Sequence, residues 1–433
     1  MIDVEQALSQ ILSHARRLQP CETALDDALG RALAETVASD MDSPPYDKSI
    51  VDGYAIVAED LQSGAAELAI IEEVVAGTAP RAQVTSGAAT RVMTGAPIPT
   101  GATAVVMVER TEIIGEGERV HPGRGPAAAG AALGRVAIRD KDIRAGRNIL
   151  RQGEAMRAGE TVLHAGARIR ALEIALLAEI GRAVVQTVPR PRVAILATGN
   201  ELVEPSQTPA LGQIRNSNSP MLAAAVRQAG ATPVLLGVAR DEQGELAERI
   251  RAGLSSDILL LSGGVSAGVM DLVPSALAAQ GAREVFHKVR LKPGKPIWFG
   301  VGPATENNAA KSPTLIFGLP GNPVSTYVCF ELFVRPAIQQ LAGFPPTGLR
   351  RCQAALTDEH RQRGDRPTYF PAVYQQSAKG PARVRPVAWH GSADLRGLSE
   401  ANALAIFPAG ERIFKAGEII DVLLLDDGVI ARQ

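Results

Sequence analysis

Apolar positions along the chain follow two rhythms. Val4, Leu8, Ile11, Leu12, Ala15 and Leu18 recur at helical spacing and predict an amphipathic first helix that Pro20 ends. Leu25, Ala28, Leu29 and Leu33 predict a second helix over about 22–33. From residue 40 to 160 the apolar runs shorten, and Gly and Pro break them. Ala69-Ile70-Ile71, Val74-Val75 and Ala104-Val105-Val106-Met107-Val108 are examples, and the pattern predicts a β-rich domain. Ile169, Leu172, Leu176, Leu177 and Ile180 return to helical spacing, predicting a helix over 165–180 with Gly181 as its stop.

From Arg192 onward strands and helices alternate. Residues 193–196, 234–236, 258–261, 297–299 and 315–317 read as strands, and 220–228, 242–254 and 272–279 as helices. The alternation predicts an α/β fold, with a parallel sheet covered by helices on both faces. Ligands bind such sheets at the carboxyl ends of the strands. Four loops fall there: Thr198 to Glu201, Arg240 to Glu242, Ser262 to Ser266, and Gly318 to Ser325. After about Ala342 proline becomes more frequent and the helical pattern stops. Residues 343–433 therefore predict a small β domain, with Ile419–Leu424 as its clearest strand. The Ala/Gly/Pro-rich tract 115–134 cannot bury enough apolar surface to order itself and reads as a mobile surface loop.

Composition narrows the function. A chain of 433 residues predicts roughly two to four domains. The net charge of −1 gives no field for nucleic acid or an acidic membrane, and 4% aromatic residues argue against a base-stacking surface. Cys21, Cys329 and Cys352 show no CxxC spacing, so reduced thiols in a cytoplasmic protein are expected and a zinc site is not. The N-terminus lacks a basic-then-apolar signal pattern, and no apolar run is long enough to span a membrane.

The chemistry concentrates between Val289 and Ser325. Lys292 and Lys295 are each followed by proline, which predicts two ammonium groups on a stiff, extended backbone. Gly318 to Ser325 then joins an apolar strand to a helix start, where free N–H groups can face an anion. Either half alone reads as a tight turn. The two within one α/β unit read as an oxyanion or phosphate site. No Walker A loop exists, and no GxGxxG follows the first strand of the sheet. The strand-end loops collect Glu201, Asp241 and Asp271, and carboxylates near a phosphate point to Mg²⁺. Helix capping is the other reading of Asp241 and Asp271. Gly263 and Gly264 allow a close backbone approach to a ligand. Asp47 to Ala55 and Met93 to Pro97 form two polar turns in the β-rich region.

Together these stretches resemble the molybdopterin molybdenumtransferase family, the MoeA-type proteins and the gephyrin E domain. The landmarks are VDGYA (51–55), MTGAPIP (93–99), ATGNEL (197–202), QIRNSN (213–218), GVARD (237–241), SGGVSAG (262–268), KPGKP (292–296), GLPGNPVS (318–325) and HGSADLRGLSEAN (390–402). The resemblance implies a molybdenum insertase that uses molybdate and adenylylated molybdopterin, releases AMP and is assisted by Mg²⁺. A molybdopterin adenylyltransferase would act upstream. It also implies an elongated homodimer whose clefts are shared between subunits. Four domains are implied: a connecting domain of 20–39 and 160–187, a β-rich domain of 40–159, an α/β molybdopterin-binding domain of 1–19 and 188–342, and a C-terminal β domain of 343–433.

By the same resemblance Asp52 and Thr94 lie on the β-domain side of the cleft. Glu201 and Asp241 lie near the nucleotide and Mg²⁺, and Asp271 beside the point of metal insertion. Asp52, Glu201, Asp241 and Asp271 form the implied catalytic set. Lys292, Lys295, Ser325, Arg366 and Ser392 match positions that hold molybdate. Gly263, Gly264, Ser266, Pro296, Pro320 and Asn322 complete the implied substrate-binding set. The chain departs from the family at Val51 (usually Met), Lys48 (commonly Asn), Asn200 and Ala155 (both acidic in the family), and in the inserted tract 115–134. The two lost acids imply altered Mg²⁺ handling, or else a non-catalytic paralogue or scaffold of the same fold that binds molybdopterin or finished cofactor.

Overall fold

The computed structural model describes residues 1–114, 133–240, 243–264, 272–303, 313–377 and 380–425. The chain divides into two compact units, Thr36–His164 with Leu176–Arg182, and Met1–Glu35 with Ala165–Ala175 and Ala183–Gln433.

Helix α1 (Val4–His14) opens on a capping box, in which Asp3 accepts from Gln6 N–H and the Gln6 side chain reaches back to Asp3 N–H. It ends earlier than the apolar spacing implied: Ala15 is already extended, and Leu18 is buried outside the helix. The helix expected over 22–33 does not form. Cys21–Ala24 is a strand paired antiparallel with Val184–Val188, and Ala32–Leu33 pairs on that strand's other side. The Thr23 and Thr187 hydroxyls meet at 2.7 Å inside this sheet, while Leu29, counted toward a helical face, is 51% exposed. Helix α2 (Ala171–Glu179) is shorter than expected, because Ala167 and Ile169 exchange backbone hydrogen bonds with residues 30–33 instead. Gly181, at φ +74°, receives the chain at the helix end as expected.

In the unit of residues 36–164 and 176–182, six strands form one sheet: β1 (Gly53–Ile56), β2 (Ala65–Val74), β3 (Ala88–Val92), β4 (Ala104–Met107), β5 (Thr111–Ile114) and β6 (Gly134–Arg139). Their order is β4-β1-β3-β2-β6-β5. Tyr54, Ile56, Leu68, Ile70, Val106, Val136 and Ile138 form the core on one face. Ala55, Val92 and Val105 pack on the other, as the period of two requires, and Val74 joins them because the register of β2 shifts between Ile70 and Glu72. Of the tract expected to be a surface loop, 115–132 lies outside the described residues. Gly134 belongs to β6 and pairs with Ile70.

In the other unit, the α/β sheet contains β7 (Arg192–Thr198), β8 (Thr232–Ala239), β9 (Ile258–Ser262), β10 (Arg283–His287), β11 (Trp298–Val301) and β12 (Leu315–Leu319), in the order β8-β7-β9-β12-β11-β10. β8, β7, β9 and β12 are parallel, and β11 runs against them. Helices α3 (Asn218–Gln228), α4 (Gln243–Gly253), α5 (Leu272–Ala279), α6 (Pro323–Cys329) and α7 (Arg335–Leu341) accompany it. Alternation splits each central strand between two cores. Val193 and Ile195 pack among α1, α3, α6 and α7, whereas Ala194 and Leu196 pack against α4 and α5. Burying each such Ile or Leu side chain stabilises the fold by about 1.5–3 kcal/mol. β10 was not legible in the sequence: its pattern Arg283-Glu284-Val285-Phe286-His287 carries only two apolar residues.

The C-terminal strands β13 (Arg351–Leu356), β14 (Thr368–Gln375), β15 (Arg383–Pro386), β16 (Ala403–Phe407) and β17 (Ile419–Leu424) close into a barrel, in the order β13-β15-β14-β16-β17. Closure leaves no open edge in the ring. Among the described residues no helix is long and apolar enough to cross a membrane.

Candidate active site

The stretch with both lysines is a turn rather than an extended segment. Lys292 N–H donates to Pro367 O (3.0 Å), and Tyr369 N–H donates to Lys292 O (2.8 Å). Residues 293–296 then turn, with Gly294 at φ +121°. Pro293 and Gly294 are buried and Pro296 half-buried, while Lys292 and Lys295 are exposed. The backbone is therefore anchored and the ammonium groups are presented outward. A Cβ on Gly294 would stand 2.6 Å from Cys329 Sγ and 2.8 Å from Leu291 Cδ2, so glycine is needed for this packing. Cys329 lies on α6 and donates its thiol to Gly294 O at 3.7 Å. Burial pushes that thiol up, which makes it a packing group and not a nucleophile.

Helix α6 links this turn to the other implied contacts. Its first residues follow β12 through Pro320, Gly321 and Asn322, and Ser325 is 5% exposed on its first turn. Asn322 Nδ2 donates to Ser392 Oγ at 2.8 Å, and Val324 N–H donates to Ser392 O at 3.1 Å. Arg366, from the loop before β14, donates from Nη1 to Leu291 O at 3.0 Å. Segments around residues 292, 325, 366 and 392 are thus tied together, although they come from the α/β sheet and from the barrel region. The Lys292 charge also reaches His360: burial first, then the Lys292 ammonium, pushes that imidazole down. The ring stacks on Phe407 with centroids 3.8 Å apart.

The strand-end loops pack closely beside α6. Gly263 N–H donates to Leu319 O at 3.3 Å, and Gly263 Cα lies 3.7 Å from where a Gly321 Cβ would stand. Gly263 (φ +93°) has Thr198 O only 2.6 Å from its own Cβ position, and Gly264 also has positive φ. Asn218, the last residue of the QIRNSN landmark, joins these loops by donating from Nδ2 to Ser262 Oγ (2.8 Å) and Gly321 O (2.7 Å). Sequence reading did not single it out, although its landmark was the signal. Glu201 is exposed, and its carboxylate covers Gly199, where a Cβ would stand 2.4 Å from Oε2. A cavity of about 630 Å³ opens beyond the ends of β7 and β8, lined by Gly199, Asn200, Gln207, Gln213, Arg240 and Glu245. Asp241, Ser266 and Asp271 lie outside the described residues.

In the β-rich unit, Asp52 and Thr94 meet across 42 residues. Asp52 Oδ1 accepts from Thr94 N–H and from Thr94 Oγ1–H, both at 2.7 Å. These two bonds, and then the Arg91 charge, hold the exposed carboxyl below its ordinary range. Backbone bonds from Gly95 N–H to Ser49 O (2.8 Å) and from Ser49 N–H to Ala96 O (2.9 Å) fasten the two turns together.

Three family models match in succession: the MoeA N-terminal region (domain I and II) over residues 2–181, a probable molybdopterin binding domain over 194–340, and the MoeA C-terminal region (domain IV) over 353–425. A molybdopterin molybdenumtransferase of Staphylococcus epidermidis is 33% identical over 433 residues, covering 98% of this chain and 96% of its own. One from Bacillus subtilis is also 33% identical, over 98% of this chain and 94% of its own. The chain belongs to the MoeA family. Among solved structures, two of the molybdopterin biosynthesis MoeA protein from Pyrococcus horikoshii match this MoeA chain. One has a TM-score of 0.77 at 27% identity, covering 99% of this chain and all of the other. The second has a TM-score of 0.73 at 30% identity, covering 98% and all respectively. The match to MoeA extends over both compact units, so the family relation takes in the Asp52 turn as well as the lysine turn.

Proposed function

We propose that this chain is a molybdenum insertase, a molybdopterin molybdenumtransferase that inserts molybdate-derived metal into adenylylated molybdopterin and releases AMP. The observation that carries the reading is the fastening of Lys292, Lys295, Ser325, Arg366 and Ser392 around α6. A tetrahedral dianion requires charge-assisted donors from several directions. Two ammonium groups, one guanidinium and two hydroxyls meet that need. Gly263, Gly264, Ser266, Pro296, Pro320 and Asn322 shape the substrate side. Asp52 and Thr94 serve the reaction from the β-rich unit, and Asp271 from the strand-end side.

Mg²⁺ would be held by Glu201 and Asp241. The fit is chemical: the Glu201 carboxylate is exposed and accepts no hydrogen bond among the described residues. Those residues contain no group of three potential ligands. Mg²⁺ typically uses one or two carboxylates and completes its shell with substrate phosphate and water. When bound, the ion would stabilise charge on the departing adenylate.

The same reading takes the protein as a cytoplasmic homodimer with clefts shared between subunits, four domains per chain, and a molybdopterin adenylyltransferase upstream. Three free cysteines support a reducing compartment. The test is incubation with adenylylated molybdopterin, Mg²⁺ and molybdate. AMP release that depends on molybdate is expected. Tight binding without release would mark a non-catalytic paralogue and overturn the proposal.

A further inference from the structure

The strand order of the α/β sheet puts its switch point between β7 and β9. The chain leaves β7 for β8 on one side, then returns to place β9 on the other. Ligands of open α/β sheets bind in the crevice outside the strand ends at such a point. Ser262 closes β9 and pairs with Ala197, one residue before the end of β7. Two side chains border the step from Ser262 to Gly263: Thr198 from β7 and Asn218 from the start of α3.

Each carries a buried polar atom that bonds to nothing among the described residues. Thr198 is 3% exposed, and its Oγ1 has no hydrogen-bond partner. That hydroxyl lies 3.3 Å from where a Gly263 Cβ would stand, so a residue without a side chain is what stands beside it. Asn218 Nδ2 donates both to Ser262 Oγ (2.8 Å) and to Gly321 O (2.7 Å). A backbone carbonyl can only accept, which fixes the amide's orientation and leaves Oδ1 as the atom without a partner. The neighbouring polar pair is satisfied: Asn216 Nδ2 donates to Ser219 Oγ at 2.9 Å, and Ser219 N–H donates to Asn216 Oδ1 at 3.1 Å. Buried polar atoms are nearly always paired, and an unpaired one is costly.

We propose that Thr198 Oγ1 and Asn218 Oδ1 are specificity-determining contacts for the N–H edge of a heterocycle in the substrate. The inference rests on the reading of adenylylated molybdopterin as that substrate. The chemistry excludes the oxyanion as their partner. Asn218 Oδ1 only accepts, and a molybdate or phosphate dianion has no proton to give it. The rings do: a pterin carries ring N–H and amino donors, and adenine carries an amino group. Thr198 Oγ1 can donate or accept, so the pair reads a donor beside a ring nitrogen or carbonyl. The labour is thus divided. The lysine turn and α6 take the anion, and the crevice between β7 and β9 takes a ring. Asn218 connects the two, because Gly321 leads into α6.

The experiment measures binding of adenylylated molybdopterin, molybdopterin and AMP to full-length protein by calorimetry, alongside melting temperature. Thr198→Val keeps the side-chain shape and removes the hydroxyl, while Thr198→Ser keeps the hydroxyl. With no protein partner to lose, Thr198→Val should melt at or above the wild-type temperature. It should nevertheless bind adenylylated molybdopterin about three- to tenfold more weakly, as loss of one hydrogen bond does. Thr198→Ser should recover most of that affinity. An equal loss toward molybdopterin assigns the pterin edge to the crevice, and an equal loss toward AMP assigns the adenine edge. Asn218→Ala should melt lower, since both Nδ2 bonds go, and should weaken the same ligand as Thr198→Val. A Thr198→Val chain that melts well below wild type would mean that the hydroxyl is bonded within the protein. Unchanged affinity for all three ligands would mean that no substrate group reaches it. Either result, or a loss of different ligands in the two variants, overturns the proposal. These readouts need no turnover. A wild type that binds the substrate without releasing AMP refutes the insertase reading alone. A wild type that binds none of the three ligands refutes both.

Discussion

At the residue scale, exposed charges on anchored backbone are the feature with the sharpest consequences. Lys295 is exposed on a turn whose Pro293 and Gly294 are buried, so its ammonium group can be removed without disturbing packing. Lys295→Gln should keep the wild-type melting temperature and weaken the response to molybdate. A charge-assisted contact is worth about 1.5–3 kcal/mol, or about ten- to a hundredfold in half-saturating concentration. Titration of turnover against molybdate checks this, and an unchanged curve would remove Lys295 from the site. Asp52 offers a pH test. Its carboxyl is held low mainly by Thr94, through one backbone and one hydroxyl bond. Thr94→Val keeps the backbone donor and loses the other, so the carboxyl should protonate at higher pH. If ionised Asp52 is needed, the acid limb of the kcat/KM profile moves toward neutral pH. A limb that stays in place would mean that Asp52 is not the group titrating there. The two positions at which the resemblance implies an acid fall in different settings: Asn200 lines the polar cavity at the strand ends, and Ala155 donates its N–H to Ser43 O in the β-rich unit.

At the element scale, the turn of residues 293–296 and helix α6 act as one piece. Gly294→Ala would set a methyl group 2.6 Å from Cys329 Sγ, on a backbone at φ +121°. Overpacking of this kind typically costs about 1–3 kcal/mol. A lowered melting temperature with a weakened molybdate response is expected, and an unaffected variant would show that the turn yields freely. The hairpin of β5 and β6 gives a contrasting case. Arg135 pairs with Ile114, so the two strands are held in register on either side of the tract 115–132. Each doubling of loop length changes closure by only about 0.6 kcal/mol. Replacing that tract with a short Gly/Ser linker should leave the melting temperature within a few degrees, and a large loss would show that the tract packs.

These elements also show what the sequence could convey. Strands β7, β9 and β12 were legible because a strand buried on both faces is a continuous apolar run, and the edge strand β8 was legible from Val234-Leu235-Leu236 although Leu235 is 58% exposed. Residues 22–33 misled, because Leu25, Ala28 and Leu29 imitate helical spacing while the real partner of Thr23 is Thr187, 164 residues away. The turn at Lys292 was read as extended because proline reports on φ and not on the tertiary contacts with Pro367 and Tyr369 that bend the chain there.

At the scale of the whole molecule, the proposed shared cleft makes a prediction that no single-chain site would. If Asp52 from one chain works with Lys295 from its partner, a symmetric dimer holds two such clefts. A heterodimer of Asp52→Ala and Lys295→Ala chains would then contain one doubly damaged cleft and one intact cleft. Purified through two different tags, it should recover about half of wild-type turnover if the sites act independently. Activity near zero, with tagged wild-type dimers active alongside, would show that each cleft takes both residues from a single chain.

The central claim is that this chain completes metal insertion and does not merely hold the pterin. The most direct measurement follows AMP released by the pure protein from adenylylated molybdopterin and Mg²⁺, with and without molybdate. The account predicts AMP release that rises with molybdate, falls in Lys295→Gln, and yields a cofactor able to activate an apo-molybdoenzyme. Release independent of molybdate, or saturable binding of the substrate with no AMP formed, would contradict it.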